Sequence, residues 1–233
     1  MGSNIINRDS LKSLHLFSDL NNEEIECVQE LSYVSVFTKK TLIFEQFESI
    51  RNIYFLLKGQ VKIYRMDHRG NEQIVNIAVT NDMFPHIGYF RPQIYPAYAE
   101  TMKESKVLCI PIEKFRCIVK NYSSVSEKLL LLLEDKIIDL QARLEEKLLY
   151  PLCDQILLLL LRICDAYGIM CNDEWYVIQI FLSNRDLANI IGSTRETINR
   201  YLNDFKKDGI INYSAEGHLL INKKKINELI LLS

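Results

Sequence analysis

Residues 183–202 carry the side chains best suited to chemistry, and that chemistry is recognition rather than bond-making. The stretch reads Ser-Asn-Arg-Asp-Leu-Ala-Asn-Ile-Ile-Gly-Ser-Thr-Arg-Glu-Thr-Ile-Asn-Arg-Tyr-Leu. Two capping boxes frame it, Ser183 with Asp186 and Ser193 with Glu196, and each marks the start of a helix. Gly192 lies between the two helices and can take the left-handed conformation that a sharp helix-to-helix bend requires. Ala188, four residues earlier, is small enough to let the helices cross closely. Leu187, Ile191, Ile198 and Leu202 supply the apolar contact that sets the crossing angle. This is the logic of a helix-turn-helix whose second helix runs from Ser193 to about Lys206. Its leading residues Thr194, Arg195, Glu196, Asn199 and Arg200 would face base edges. An arginine can grip O6 and N7 of guanine with two hydrogen bonds, and a glutamate can accept from N4 of cytosine. Ser193, Thr197, Lys206 and Lys207 suit phosphates, which position a protein without reading sequence, and Ser183 joins the DNA-binding set. From Ser183 onward there are 8 Lys/Arg against 6 Asp/Glu, a small local excess of positive charge.

Other chemistries find little support. There is no nucleotide-binding glycine loop, metal triad or nucleophile constellation, so the chain does not read as an enzyme. Cys27, Cys109, Cys117, Cys153, Cys164 and Cys171 are scattered at spacings that match no metal pattern, and they read as reduced, mostly buried thiols of a cytoplasmic protein. The most apolar stretch, residues 156–163, is too short to span a bilayer, so no membrane role is expected. The net charge of −2 makes any DNA-binding surface a local one. An apolar content of 48% and a charged content of 25% across 233 residues provide for a real core.

The elements that must position this motif follow from periodicity. A short helical lead starts at Asn21 or Asn22, with Ile25, Val28 and Leu31 at helical spacing. From Tyr33 to about Ile112, short β-branched and aromatic runs alternate with turn signals at Lys58-Gly59, His68-Arg69-Gly70-Asn71 and Thr80-Asn81-Asp82. That rhythm predicts a small antiparallel barrel or roll. A short helix over residues 113–120 and a long one reaching Leu149 come next. On the long helix Leu130, Leu133, Ile137, Leu140 and Leu144, extended by Leu148, form a seam spaced three and four apart. Such a seam, flanked by charge, is expected to bury against a second copy of itself. The alternative is a helix packed lengthwise on its own barrel. Pro151 then ends the helix, making Tyr150-Pro151 a candidate hinge. After the recognition helix, residues 208–213 and 219–221 predict a hairpin, the wing of a winged helix. Lys223, Lys224 and Lys225 read as a solvated helix start. The fold class is thus α+β: an N-terminal antiparallel β-roll (residues 1–120), a dimerisation helix (121–150) and a C-terminal winged helix-turn-helix (151–233).

In this order the parts resemble the Crp/Fnr family of bacterial transcription regulators. Ile53-Tyr54-Phe55-Leu56-Leu57-Lys58-Gly59-Gln60-Val61-Lys62 is similar to the family's barrel strand pair around its glycine. Arg69-Gly70 and Asn81-Asp82-Met83-Phe84 match the turns that follow, and residues 192–200 resemble its recognition helix. The resemblance implies a homodimer that binds a palindromic double-stranded DNA site, with RNA polymerase as a further partner. It gives Arg195, Glu196 and Arg200 the reading of a TGTGA-like half-site, while Asn199 stands where a glycine is usual and Tyr201 where an aliphatic residue is usual. The barrel departs from the cyclic-nucleotide-binding members. Pro85-His86-Ile87-Gly88 stands for their Gly-Glu-Leu turn, and Tyr95-Pro96 for their phosphate-binding Arg-Ser/Thr. A buried phosphodiester without its cation is heavily penalised, so cAMP is not expected as a cofactor and no other is indicated. His86, Tyr89, Tyr95 and Tyr98 either line a pocket for another effector or fill the barrel. A ligand- or redox-sensing barrel protein, with a helix-turn-helix that reads no DNA, is the competing class of function.

Overall fold

A computed structural model describes residues 6–88, 94–172 and 174–232. The chain divides into two compact units, the first ending at Ile137 and the second beginning at Ile138.

The first unit opens with α1 (Arg8–Lys12), a single 3-10 turn (His15–Phe17) and α2 (Asn22–Glu30). Asn21 caps α2 in a complete capping box with Glu24, which satisfies the backbone N–H groups at the helix start. Among the described residues eight strands follow: β1 (Tyr33–Phe37), β2 (Leu42–Phe44), β3 (Asn52–Lys58), β4 (Val61–Met66), β5 (Glu72–Ala78), β6 (Met83–Phe84), β7 (Tyr98–Thr101) and β8 (Ser105–Pro111). They form two antiparallel sheets, ordered β1-β8-β3-β6 and β2-β7-β4-β5, which make up the expected roll. β8 is the last strand of the roll. It lies between β1 and β3 and is buried along most of its length, as its apolar run Val107-Leu108-Cys109-Ile110 demands. Between β3 and β4 the chain turns at Gly59, at φ +121°. A Cβ there would lie 2.2 Å from the Ser105 hydroxyl and 2.6 Å from its Cα, so only glycine lets the turn pass over β8. The core of this unit gathers Phe17, Phe55 and Phe115, with Phe17 and Phe55 rings 5.1 Å apart.

α3 (Ile112–Asn121) leads into α4 (Ser123–Leu149), a helix of 27 residues. Val125 and Leu129 are buried in the roll core, and Leu132 and Leu133 pack partly against it. Leu133, one turn after Leu129, is thus partly covered by the roll. The other seam members stay open. Leu130, Ile137, Leu140 and Leu144 are all more than half exposed, and Leu148 is 73% exposed.

The second unit continues with α5 (Leu152–Tyr167), β9 (Gly168–Met170), β10 (Trp175–Ile178), α6 (Asn184–Ile191), α7 (Arg195–Lys207), β11 (Ile211–Tyr213), β12 (Leu219–Asn222) and α8 (Lys223–Leu232). Its sheet runs β11-β12-β10-β9, all antiparallel, and the β11–β12 hairpin is the expected wing. Strand β10 ends at Ile178. α5 buries Ile156, Leu157, Leu160 and Ile163 and packs against β9, β10, α6 and α8.

Candidate nucleic-acid interface

α6 begins with the capping box read from sequence. The Ser183 side chain accepts from Asp186 N–H, and the Asp186 carboxylate accepts from Ser183 N–H at 2.8 Å. The helix ends at Gly192, which sits left-handed at φ 74°, ψ 46°. Gly192 N–H donates to Ala188 C=O at 2.8 Å, and Ser193 N–H donates to the same carbonyl at 3.0 Å. These bonds correct the second box. Ser193 is spent on closing α6, so Thr194 is the N-cap of α7, its hydroxyl accepting from Thr197 N–H at 3.2 Å. The cap of the recognition helix therefore lies one residue later than the sequence suggests. The reason is local: a left-handed glycine followed by a sixth-to-first backbone bond consumes one more residue than a simple bend.

Ile198, Leu202 and Phe205 bury one side of α7, and Leu187, Ala188 and Ile191 bury the facing side of α6. The opposite side of α7 is open. Arg195, Glu196 and Arg200 are exposed, as is Thr194, while Ser193, Thr197 and Asn199 are half-buried. The Arg200 guanidinium lies 5.5 Å from the Tyr201 ring centroid, a cation–π distance that steadies it without taking up its donors. Asn199 behaves differently: the Asn184 amide donates to its side-chain carbonyl. Of the more distant cations, Lys207 pairs with Asp204 at 3.3 Å and Lys206 lies 5.7 Å from the Tyr213 ring on the wing. Lys223 pairs with Asp165, and Lys224 with Glu174 at 3.5 Å, consistent with a solvated helix start.

Lys147, near the end of α4, is a contributor that sequence reasoning misses. Its ammonium donates to Ile191 C=O at 2.9 Å and to Gln155 Oε1 at 3.2 Å, and Gln155 Nε2 in turn donates to Tyr150 C=O at 2.7 Å. The last carbonyls of α6 have no partner within the helix and sit at its negative end, so a cation there is favoured. Nothing in the local pattern around Lys147 signals a partner 44 residues away.

Of the candidate effector residues, Tyr95 and Tyr98 lie on opposite faces of the roll's sheet. Tyr95 is buried in an aromatic stack, 3.9 Å from Phe44, which continues through Tyr54 to Phe84. Its hydroxyl accepts from Arg51 N–H at 3.1 Å and Asn52 N–H at 3.2 Å. Tyr98 lies on the other face of its sheet, against Tyr64 at 5.2 Å and near the Lys62–Glu100 pair. Strand alternation explains the split: Ala97 and Ala99, one residue to either side of Tyr98, point into the core. His86 is half-buried; burial, reinforced by the charge of Lys136, lowers its pKa to about 4. Tyr89 lies outside the described residues. Among the described residues no cluster of three or more His, Cys, Asp or Glu is arranged to hold a metal ion. Cys109 and Cys164 are buried free thiols, both pushed up to about 11 by burial, while Cys117 and Cys171 are exposed. No helix among the described residues is long and apolar enough to cross a membrane.

Comparison with known proteins agrees with this layout. Residues 34–122 match the cyclic nucleotide-binding domain family, and residues 155–228 match the Crp-like helix-turn-helix domain. The global nitrogen regulator of Nostoc sp. is 30% identical over 197 residues, covering 83% of each chain. The anaerobic regulatory protein of Bacillus subtilis is 22% identical over 209 residues, covering 89% of this chain and 87% of its own. The solved structure of FixK2 from Bradyrhizobium japonicum shares the fold, with a TM-score of 0.74 at 18% identity over 85% of this chain and 96% of that one. With a roll, a long helix bearing an open apolar stripe and a winged helix-turn-helix in the same order along the chain, and with relatives that match along most of its length, this chain belongs to the Crp/Fnr family of dimeric, DNA-binding transcription regulators.

Proposed function

We propose that α7 enters the major groove with Arg195, Glu196 and Arg200 on base edges, reading a TGTGA-like half-site. A second copy would read the other half of a palindrome across the twofold axis. The observation that carries this reading is the division of α7. Ile198, Leu202 and Phe205 anchor it in the core, while both guanidiniums and the Glu196 carboxylate stand exposed along its first two turns. Ser183, Ser193 and Thr197 flank these residues as phosphate contacts; the Thr194 hydroxyl serves the cap. The roll (1–120) is the effector part, α4 (within 121–150) the dimer helix, and 151–233 the DNA-reading part. Leu130, Ile137, Leu140 and Leu144 would meet their counterparts on the partner helix, with Leu133 shared between the seam and its own roll. The protein would work in the cytoplasm and act on RNA polymerase from its bound site.

Selection from randomised half-sites tests the assignment. Arg195→Ala should lose its preference for one guanine, a cost of about 1–3 kcal/mol at that base. An unchanged half-site preference would remove Arg195 from the reading set.

The roll is not expected to take cAMP. Tyr95 fills the place of the phosphate-binding arginine and is buried against Phe44, and Pro85 offers no N–H to a phosphate. Calorimetric titration with cAMP should show no heat of binding, and a micromolar affinity would overturn this.

A further inference from the structure

Asn199 lies four residues after Arg195 and three after Glu196, so on α7 it shares their side of the helix. It is only half-exposed there, because the Asn184 side chain, from the first residue of α6, reaches across and donates its amide hydrogen to the Asn199 carbonyl oxygen. That bond divides the Asn199 amide in two. Its acceptor is committed inside the protein, and its NH2 group remains to face outward.

A free asparagine reads adenine with both halves of its amide, donating to N7 and accepting from N6. An asparagine with its carbonyl tied back has only donors to offer. It complements edges whose polar groups are all acceptors, which are O6 and N7 of guanine and O4 of thymine; adenine offers it N7 alone, beside an amino group that finds no acceptor, and cytosine offers only an amino group.

We propose that Asn184, although it faces no base itself, is a specificity determinant: by holding the Asn199 carbonyl it makes Asn199 a donor-only reader that selects guanine or thymine. The inference rests on the proposed placement of α7 in the groove.

Selection from randomised half-sites, with the full-length protein, tests it in four variants. Asn199→Ala locates the base position by abolishing preference there, and a silent result would overturn the proposal. At that position the wild type should favour guanine or thymine over adenine by about fivefold, the worth of one net hydrogen bond. Asn184→Ala frees the carbonyl and should admit adenine. Asn184→Asp goes further, since a carboxylate can only accept. It should draw the Asn199 NH2 inward, turn the carbonyl outward and shift preference toward adenine or cytosine. Aspartate in the first turn of a helix is favourable, so this variant keeps the test informative if the alanine variant folds poorly. Adenine selected by the wild type, or an unchanged preference in both Asn184 variants, would overturn the proposal. Arg195→Ala, run in parallel, separates the two failures: if it alters selection while the Asn184 variants do not, only the role of Asn184 falls. If it too is silent, the base-reading placement of α7 falls as well.

Discussion

Lys147→Met offers a direct measure of how the end of α4 holds the helix-turn-helix. The substitution keeps most of the aliphatic stem and removes the ammonium. Two bonds are lost, to Ile191 C=O at 2.9 Å and to Gln155 Oε1 at 3.2 Å. Hydrogen bonds from a charged donor contribute roughly 1.5–3 kcal/mol each when well enclosed. Here the lysine is exposed, so water replaces part of what is lost and screens the charge, whereas Ile191 and Gln155 are themselves buried. The expected loss of unfolding free energy is about 1–2 kcal/mol in total. Urea unfolding at matched protein concentration would measure it, because a dimer's apparent stability depends on concentration. Lys147→Arg, which retains a cation, should recover part of the loss. DNA affinity should fall alongside in Lys147→Met, because the carbonyl that loses its partner precedes Gly192, the residue that turns the chain into α7. Stability within about 0.5 kcal/mol of wild type, the range of an ordinary surface substitution, would refute the reasoning and reduce the contact to a surface ornament.

Two further outcomes follow from the same structure. Leu140→Glu combined with Leu144→Glu should yield monomers in sedimentation, since these side chains, 61% and 60% exposed, each have about 1–2 kcal/mol of apolar burial to gain in a dimer; a persisting dimer would refute the seam. His86 titrates near 4 in the fold, below the usual histidine value of about 6.5, so the unfolded chain binds its proton first and the fold loses stability as pH falls from about 6.5 toward 4. His86→Gln should flatten that part of the stability–pH profile, and an unaltered profile would show that His86 is not held neutral.

The helix-turn-helix was legible in the chain because its determinants are local. A capping serine and its acid three residues on, a glycine able to turn left-handed and apolar residues at helical spacing act over a few residues, and each is found where periodicity places it. The strand rhythm of the roll and the length of α4 were legible for the same reason. What needed tertiary structure were the choices between near-equivalent neighbours. Ser193 and Thr194 are both capping residues by type, and the backbone bond from Ser193 to Ala188 decides between them. Leu133 and Leu140 both belong to the seam by spacing, yet one is half-buried and the other is open. Tyr95 and Tyr98 lie three residues apart, and strand alternation with the ring of Phe44 sends one into the core stack and the other to the opposite face. The Asn184–Asn199 and Lys147–Ile191 bonds join residues 15 and 44 positions apart. Short-range order depends on backbone conformation, which neighbouring residues constrain directly. Which atoms a side chain finally meets depends on how distant elements pack, and no periodicity along the chain encodes that.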